Sequence, residues 1–256
     1  MKVASLMKLM MNLKLKRPDY GVDAPGVIRI IILATIINIG AGECLLTYEN
    51  HIAVIFANIL LFIGRINIVQ IIFGILYVKI GKFKHRDRML SLITWKGNEH
   101  VLDVGTGRGL LMIGAAKRLT TGKSVGIDIW KQSDLKNNSY EKAMQNAILE
   151  GVADKVDIKN ADVQQMPFRT GEFDAVLTNL CIHNISNKAG RVKACKEIAR
   201  VLKPGGTVII SDIRYSNMYV AALNDEALKI LWKRTFILKT FFIPLTVIKA
   251  IKENTI

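Results

Sequence analysis

The stretch VLDVGTGRGLL, residues 101–111, has the residue types of a ligand-binding turn. It contains three glycines at alternate positions: Gly105, Gly107 and Gly109. The apolar run before the glycines predicts a β-strand, and the apolar run after them predicts a helix. A turn of this kind directs backbone N–H groups and a helix N-terminus at a polar ligand. The glycines therefore mark a candidate binding site.

The residues around the glycines indicate the charge of that ligand. A dinucleotide fingerprint would need its third glycine at position 110, but the chain has Leu110 there. Asp103 instead lies two residues before the first glycine. Its carboxylate would repel a pyrophosphate and would attract a ligand that carries positive charge. The pattern acid-x-Gly-x-Gly-x-Gly thus favours a cationic ligand.

Two further carboxylates follow predicted strands. SVGIDIW, residues 124–130, predicts a second strand that ends at Asp128, whose carboxylate can accept hydrogen bonds from both hydroxyls of a ribose. A third predicted strand, 156–159, leads into NADVQQMPF, where Asp162 could accept a hydrogen bond from an adenine amino group. FDAVLTNL and TVIISDI predict a fourth and a fifth strand. Because strands and helices alternate, we expect a doubly wound parallel sheet with the ligand over its carboxyl edge.

Five ordered motifs between residues 99 and 213 resemble those of class I S-adenosylmethionine-dependent methyltransferases. The resemblance is strongest to the branch that contains ubiquinone and menaquinone C-methyltransferases and related lipid methyltransferases. The motifs are VLDVGTGRG, VGIDI, ADVQQMPF, FDAVLTNLCIHNI and RVLKPGG. One glycine loop alone would be weak evidence, but five motifs in order are specific. The resemblance implies an α/β fold with a Rossmann-like, mostly parallel seven-stranded sheet, and S-adenosyl-L-methionine as the cofactor.

The resemblance also implies which residues bind that cofactor. Asp103 and the glycines surround its methionine part, and Asp128 holds its ribose. Asp162 and Val163 frame the adenine. The full set of expected cofactor-binding residues is Asp103, Gly105, Thr106, Gly107, Gly109, Asp128, Ile129, Asp162, Val163 and Asn179.

The motif NLCIHNI, after the fourth predicted strand, lies where a methyl acceptor should bind. Methyl transfer from a sulfonium is an in-line displacement, so the protein mainly aligns the acceptor and removes a proton where the acceptor carries one. His183 is the candidate general base, and the alternative is a histidine that only lines the pocket. Cys181 and Cys195 as ligands of a soft metalloid are a weaker alternative, because they are not a close chelating pair. We expect no metal site.

Two apolar segments precede the predicted catalytic domain. The first, residues 26–42, can extend to about Leu46, and the second covers residues 52–78. Each is long enough to cross ~30 Å of hydrocarbon at ~1.5 Å per residue. The connection ECLLTYENH has no Lys or Arg, whereas both flanks of the pair are rich in them. We therefore expect a two-helix transmembrane hairpin, with its basic flanks and the methyltransferase domain on the cytoplasmic side.

Other arrangements of the apolar segments stay open at this point. The helices could form a lid buried against a soluble catalytic domain, or a monotopic helix could enter the membrane only half-way. Polar residues interrupt the second segment: Arg65, Asn67 and Gln70. His51, Asn58 and Arg65 recur every seven residues and predict one polar stripe on a helix. We expect this stripe to face protein, with Asn38, Glu43 or an anionic lipid head group as its partner. Arg65 would then be paired inside the hairpin or line a substrate path.

These observations predict four regions in the chain. They are a basic interfacial segment (1–25), the transmembrane hairpin (26–80), a basic linker (81–98) and the methyltransferase domain (99–256). KRPDYGVDAP, residues 16–25, should form an ordered turn at the interface. In the tail we expect a helix at 219–233, followed by FILKT and LTVIKAI as a final antiparallel pair of strands. The alternative is that FILKTFFIPLTVIKAI is a third membrane-contacting segment.

The net charge of +15, from 36 Lys+Arg and 21 Asp+Glu, suits either nucleic acid or an anionic membrane. Eleven of the 13 bases in residues 1–98 flank the apolar segments, which is a membrane pattern. Asn179 lacks the Pro-Pro-aromatic continuation typical of base-amino methyltransferases, so nucleic acid is not expected as a partner. The expected function is a membrane-anchored methyltransferase for a lipophilic small molecule or lipid. The alternatives are a diffusible acceptor under a helical lid, and a non-enzymatic membrane scaffold that binds the cofactor.

Overall fold

The computed structural model describes residues 17–22, 25–131, 135 and 138–253. The helices are α1 (Pro25–Leu45), α2 (His51–Leu76), α3 (Lys82–Leu90), α4 (Leu110–Ala116), α5 (Tyr140–Leu149), α6 (Lys188–Val201) and α7 (Ser216–Asn224). The strands are β1 (His100–Val104), β2 (Lys123–Asp128), β3 (Val156–Asn160), β4 (Phe173–Asn179), β5 (Leu202–Asp212), β6 (Leu228–Phe236) and β7 (Leu245–Lys252). Shorter helical turns are Tyr77–Gly81, Ala153–Lys155, Ile182–Asn184 and Leu238–Thr240. Most of the expected basic interfacial segment, residues 1–16, lies outside the described residues.

The seven strands form one sheet in the order β3-β2-β1-β4-β5-β7-β6. β1 to β5 pair in parallel, whereas β7 runs antiparallel to both β5 and β6. The expected doubly wound, mostly parallel sheet is confirmed. The strand order reverses between β1 and β4, and such a reversal opens a crevice at the carboxyl ends of the strands. The site should therefore lie beyond Val104 and Asn179.

Apolar side chains pack on both faces of the sheet, because successive residues of a strand point to opposite sides. Leu102 of β1 belongs to a core shared with α6 and α7, whereas Val101 belongs to one shared with α3 and α4. Met89 and Leu90 at the end of α3 are fully buried in this second core. Residues 81–98 were expected to form a basic linker, but about half of them form the helix α3. This helix packs on the sheet because the apolar residues at its C-terminal end are buried in the core.

Small residues pack α1 against α2. Gly42 of α1 lies against Leu61 and Ala57 of α2. Gly64 of α2 lies against Ile39 of α1. A side chain at either glycine would collide with the facing helix, so glycine permits the close approach of the two helices.

Most apolar side chains on the outer faces of these two helices are exposed. Ile30 is 68% exposed, Leu33 59% and Phe62 61%. In the most apolar 18-residue stretch of each helix, only 11% (α1) and 6% (the helix that contains α2) of the residues are buried. By length and composition alone, α1 and the continuous helix His51–Leu90 are apolar enough to cross a membrane.

The polar stripe of α2 does not face α1. His51, Asn58 and Arg65 are exposed, whereas the buried residues of α2 are Ala57 and Gly64. The prediction that this stripe packs on the first helix was wrong, because the small residues one position earlier allow closer helix packing than long polar ones. The Asn58 side chain instead donates a hydrogen bond to a backbone carbonyl one turn earlier in its own helix.

The C-terminal part differs from expectation in one helix and one strand. The helix expected at 219–233 ends earlier, because Ala227 has a positive φ of 57° and the next residues pair with β7 as the edge strand β6. FILKT contributes only Phe236 to a strand, since its last three residues form a short helical turn. LTVIKAI lies in β7, and the expected antiparallel pairing of the last two strands is confirmed.

Candidate cofactor and acceptor site

The turn between β1 and α4 has a backbone conformation that requires glycine. Gly105, Gly107 and Gly109 have φ angles of 71°, 55° and 86°, in the left-handed region. A β-carbon at Gly105 would also collide with the side chain of Cys181. Gly109 donates its N–H to the Thr106 carbonyl at 2.8 Å and leads into α4. The first two glycines line the cavity described below, so a ligand can approach their backbone closely.

Asp103 is 1% exposed and lies on β1 beside the glycine turn. Its Oδ2 accepts hydrogen bonds from Thr106 Oγ1 at 2.8 Å and from Met112 N at 2.9 Å. Its Oδ1 is buried and has no hydrogen-bond partner within the described part of the chain. Burial raises the pKa of Asp103 to about 7; the two hydrogen bonds oppose this rise, and the charge of Asp128 adds to it. A cationic group beside Oδ1 would stabilise the ionised form.

Asp128 connects the end of β2 to the glycine turn. Its Oδ2 accepts the N–H of Gly107 at 2.8 Å, and its Oδ1 accepts the N–H of Trp130 at 2.7 Å. A carboxylate has about four lone-pair positions, so these backbone donors leave acceptor capacity for hydroxyl groups. The side chain therefore holds the turn in place and can also bind a ligand in the cavity that it lines.

The other expected cofactor residues lie at neighbouring strand ends. Asp162 follows β3 and accepts the N–H of Gln164 at 2.8 Å, and Val163 is buried next to it. Asn179 ends β4, and its Oδ1 is buried without a partner among the residues that the structure describes. Every expected residue except Gly109 lines one cavity: Asp103, Gly105, Thr106, Gly107, Asp128, Ile129, Asp162, Val163 and Asn179. Gly109 shapes the turn instead.

His183 lies in the short helical turn Ile182–Asn184 and lines the same cavity. Its Nδ1 is 2.5 Å from Oδ1 of Asp212, which is an ion-pair distance without the alignment of a hydrogen bond. Asp212 ends β5 and is 1% exposed. Its Oδ2 accepts the backbone N–H of His183 and the hydroxyl of Tyr219, both at 3.0 Å. Asp212 thus positions both the backbone and the ring of His183.

Asp212 is the candidate that sequence reasoning missed. The sequence feature that could have identified Asp212 is its position as the acid at the end of the predicted strand TVIISDI. β5 pairs directly with β4, so this acid reaches the carboxyl edge beside the turn that carries His183. The order of the strands could have predicted that Asp212 lies near His183. The two residues are 29 positions apart in the sequence, so a local sequence pattern does not connect them.

The environment of the cysteines opposes the metalloid alternative. Burial raises the pKa of the Cys181 thiol far above its usual range and that of Cys195 to about 12. Ligation of a metalloid requires thiolates, which such surroundings disfavour. Cys181 packs on the glycine turn, and Cys195 lies in the core that α6 shares with the sheet. Both thiols are therefore packing groups in this arrangement.

The N-terminal segment, residues 17–22, packs over the glycine turn, which the sequence did not predict. Asp19 forms an ion pair with Arg108 of the turn. Asn146 of α5 donates to the backbone carbonyls of both residues at 2.9 Å. Lys82 at the start of α3 donates to two carbonyls of the segment. Two side chains of the segment line the cavity: Tyr20 and Val22.

One cavity of about 1590 Å³ joins the expected cofactor residues to the two apolar helices. Its far walls come from α1, α2 and the β6–β7 connection: Ile28, Ile31, Val69, Phe73, Phe241 and Ile243. Arg65 also lines it, in agreement with the second position considered for this residue. Pockets for drug-sized ligands are commonly ~300–1,000 Å³. This cavity therefore has room for a cofactor and a large apolar molecule together.

Residues 102–210 match the family described as Methyltransferase domain. A demethylmenaquinone methyltransferase of Lactiplantibacillus plantarum is 31% identical over 134 residues, which cover 52% of this chain and 53% of that protein. A sterol 4-C-methyltransferase of Caenorhabditis elegans is 33% identical over 123 residues, 48% of this chain and 33% of that protein. The chain thus spans between a third and about half of the length of these curated relatives.

Solved structures of the same fold include enzymes of different chemistry. The cyclase SpnF has a TM-score of 0.57 at 17% identity, with 68% of this chain and 81% of that chain covered. A geranyl diphosphate methyltransferase in complex with S-adenosylmethionine has a TM-score of 0.56 at 17% identity, with 66% and 85% covered. Since one of the two is a cyclase, this likeness shows the fold alone.

The family match and the geometry refer to the same part of the molecule. The matched residues contain the glycine turn, most of the paired strands β1 to β5, and the turn that carries His183. The two curated relatives are named methyltransferases. Residues 102–210 therefore match a methyltransferase domain, and the geometry of the glycine turn fits S-adenosylmethionine as the cofactor.

Proposed function

We propose that this protein is a membrane-anchored methyltransferase that transfers a methyl group from S-adenosylmethionine to a lipophilic small molecule or lipid. The observation that carries the proposal is the continuous cavity from Gly105 to the apolar side chains of α1 and α2. An acceptor that reaches the glycine turn along these helices meets mainly apolar side chains. Such a path suits a molecule with a long apolar part.

The exposure of α1 and α2 supports membrane anchoring. A helical lid over a soluble domain would bury its apolar face, yet Ile36 is 64% exposed and Ile52 65% exposed. Keeping one large aliphatic side chain in water instead of burying it costs about 1.5–3 kcal/mol. Lys79 and Lys84 follow the apolar part of α2, and this excess of bases supports a cytoplasmic position for the flank and the catalytic domain.

The named relatives support a lipophilic acceptor. One is a demethylmenaquinone methyltransferase and another a sterol 4-C-methyltransferase, so both names refer to apolar ring compounds. Their similarity covers the methyltransferase domain, and the apolar helices of this chain lie outside it. The acceptor preference is therefore proposed from the cavity, with the relatives as independent support.

The described residues fit the cofactor. S-adenosylmethionine supplies an electrophilic methyl group on a positively charged sulfur. The buried and unpaired Oδ1 of Asp103, one of the described atoms without a partner, suits a cationic part of this molecule. Asp128 has acceptor capacity for the ribose hydroxyls, and Asp162 with Val163 borders the adenine position. Gly105 and Gly107 let the backbone approach the ligand closely.

We assign proton removal from the acceptor to His183. Its Nδ1 faces Asp212, which leaves Nε2 as the basic atom for an acceptor in the cavity. Asp212 is buried beside the ring and holds it in one orientation. Tyr219 donates to the other oxygen of Asp212 and limits its rotation. This arrangement suits an acceptor whose oxygen or carbon must lose a proton during methyl transfer.

The acceptor class can be tested with labelled S-adenosylmethionine and a total lipid extract. We expect full-length protein to transfer label to a product that partitions into organic solvent. Gly74→Leu fills the cavity, whereas Gly40→Leu places the same side chain in open space elsewhere in the hairpin. Gly74→Leu should lower lipid methylation at least tenfold, about 1.4 kcal/mol, with unchanged cofactor affinity. Label found only in protein, RNA or water-soluble products would contradict the proposal.

The ribose assignment predicts the effect of Asp128→Ala. Loss of hydrogen bonds to a charged acceptor should weaken S-adenosylmethionine binding by about 1.5–3 kcal/mol, which is roughly 10- to 150-fold. Asp157→Ala, on the exposed face of the neighbouring strand, is the matched control and should bind normally. Titration calorimetry measures both. Equal affinity of the two variants would mean that Asp128 does not hold the ribose.

The raised pKa of Asp103 predicts a pH-dependent affinity. The carboxyl group has a pKa of about 7 in the folded protein, so it is largely neutral at pH 6 and ionised at pH 8. Cationic cofactor binds the ionised form better, and affinity should therefore rise from pH 6 to pH 8. In the absence of cofactor, the same raised pKa means that the contribution of Asp103 to the free energy of unfolding decreases as pH rises from about 4 to about 7.

Asp103→Asn is the control for this pH effect, because its amide oxygen can still accept from Thr106 and Met112. The variant should bind more weakly at pH 8 and should lack the rise in affinity that this carboxyl group causes. Calorimetric affinities of wild type and variant across this range, expressed as a ratio, isolate the group. A ratio of wild-type to variant affinity that does not change with pH would mean that ionisation of Asp103 does not affect cofactor binding.

The base assignment predicts a kinetic loss in His183→Ala. Turnover should fall at least 100-fold, with cofactor affinity retained. Asp212→Asn should reduce turnover less, because asparagine keeps a polar side chain of similar shape beside the ring. His100→Gln changes a histidine at the opposite end of β1 and serves as the control. A decrease of only a few fold in His183→Ala would make this residue a pocket-lining group.

A further inference from the structure

The connection between β6 and β7, residues 237–243, carries exposed apolar side chains beside the end of α2. We infer that this connection is a separate membrane contact, an interfacial loop that docks on an anionic lipid surface. The inference rests on the proposed membrane anchoring and extends it from the hairpin to the catalytic domain. It concerns a loop at the interface and not a third membrane span, since both flanking segments are strands.

Topology places the connection at the functional edge of the sheet. β7 is antiparallel to both β5 and β6, so β6 runs in the same direction as β5. β6 therefore ends, and β7 begins, at the edge where β1 and β4 carry the glycine turn and His183. The connection and the candidate site thus lie on the same side of the domain.

Ring contacts hold the connection against the helix that leaves the hairpin. The Phe242 ring lies 4.7 Å from the Phe73 ring of α2, measured between centroids. Phe241 packs so closely on Gly81 that a β-carbon there would collide with it. Phe241 and Phe242 have φ angles of 51° and 66°, a left-handed backbone conformation that residues with side chains rarely adopt. The buried Thr240 donates its hydroxyl to the Phe236 carbonyl at 2.9 Å and supports this conformation.

The outward side of the connection is apolar, and its side chains are largely exposed. Leu238 is 76% exposed, Phe242 54% and Ile237 48%. Loops of soluble surfaces are normally polar, and a contiguous apolar patch marks an interaction site. The patch is continuous with the exposed apolar surface of α2 through the contact of Phe242 with Phe73. A surface that covers the exposed apolar side of α2 would therefore also contact the connection.

The charges around the patch indicate that this covering surface is an anionic lipid surface. The end of β6 and the connection, residues 234–243, contain two bases and no acid: Arg234 and Lys239. Lys239 lies within the connection and is exposed, as are Lys79 and Lys84 on the adjoining helix. Each base near an anionic bilayer is attracted to it, and apolar side chains beside bases are typical of interfacial segments. A protein partner would need acidic groups and an apolar groove in the same arrangement.

The consequence concerns how the acceptor reaches the site. Phe241, Phe242 and Ile243 line the cavity from inside while the connection is exposed outside. Docking of this connection beside the hairpin would turn the carboxyl edge of the sheet towards the bilayer. The path between α2 and the connection would then open directly into lipid, so an apolar acceptor would not have to cross water.

Depth measurements on the full-length protein in vesicles test the contact. Leu238→Cys is labelled with an environment-sensitive fluorophore in a background where the exposed Cys44 is serine. Ile36→Cys reports on α1, and Thr121→Cys reports on an exposed position at the opposite edge of the sheet. With phosphatidylglycerol present, we expect nitroxide lipids to quench labels at 36 and 238 but not at 121. In phosphatidylcholine alone, quenching at 238 should decrease.

The three labels separate failure of this inference from failure of the proposed function. Quenching at 36 without quenching at 238 overturns the docking loop and leaves the hairpin intact. Absence of quenching at both positions overturns membrane anchoring itself. Protection of position 238 in detergent that rises with protein concentration would assign the patch to a second copy of this chain, and would also overturn the lipid contact.

A pair of charge variants tests the functional consequence. Leu238→Asp places an acid in the docking patch, and Ile148→Asp places one at a half-exposed apolar position on α5, away from the cavity. With vesicles of lipid extract containing phosphatidylglycerol, Leu238→Asp should lower methylation about fivefold or more, without loss of cofactor affinity. Ile148→Asp should leave both unchanged. Equal methylation by the two variants would contradict a role of the connection in acceptor delivery.

Discussion

The continuous helix from α2 into α3 fixes the position of the apolar hairpin relative to the cofactor site. It runs from His51 to Leu90 and contains one π-helical turn, Tyr77–Gly81. Met89 and Leu90 are fully buried against the sheet, so the helix has a rigid attachment to the catalytic core. The hairpin is therefore not a tethered anchor on a flexible linker. The geometry of the cavity depends on this attachment, because α2 forms one of its walls.

Buried polar contacts make the junction between this helix and the sheet specific. His85 Nε2 lies 2.7 Å from Ser211 Oγ, in the residue next to Asp212. Burial lowers the pKa of His85 to about 4, with a contribution from the charge of Arg88, so the ring is neutral near pH 7. A buried neutral histidine that bonds a serine fixes the rotation of α3 against β5, since another rotation would leave both groups without partners. The helix that carries the hairpin is thus aligned with the strand that ends in Asp212.

Local patterns were sufficient to predict the sheet and most of the polar residues that line the cavity. Three glycines with positive φ, and acids at strand ends such as Asp128, produce the same signal in any chain that folds into this turn. Contacts between distant segments could not be predicted in this way. Asp19 and Arg108 are 89 residues apart, and either side chain alone resembles an ordinary surface charge. The face of α2 that meets α1 was also mispredicted, because packing depends on where Ala57 and Gly64 allow close approach, whereas the sequence pattern highlights polar residues.

The likeness to a cyclase and a methyltransferase of one fold means that the sheet alone does not determine the reaction. In this chain the distinguishing elements are those added around the carboxyl edge. Lys82 holds the N-terminal segment over the glycine turn, and the preceding Gly81 packs on Phe241 at the wall of the acceptor path. The cover of the cofactor turn and the wall of the acceptor path are therefore attached to the same helical turn. A change in the angle of this helix would therefore act on both contacts at once, the one with the N-terminal segment and the one with the β6–β7 connection.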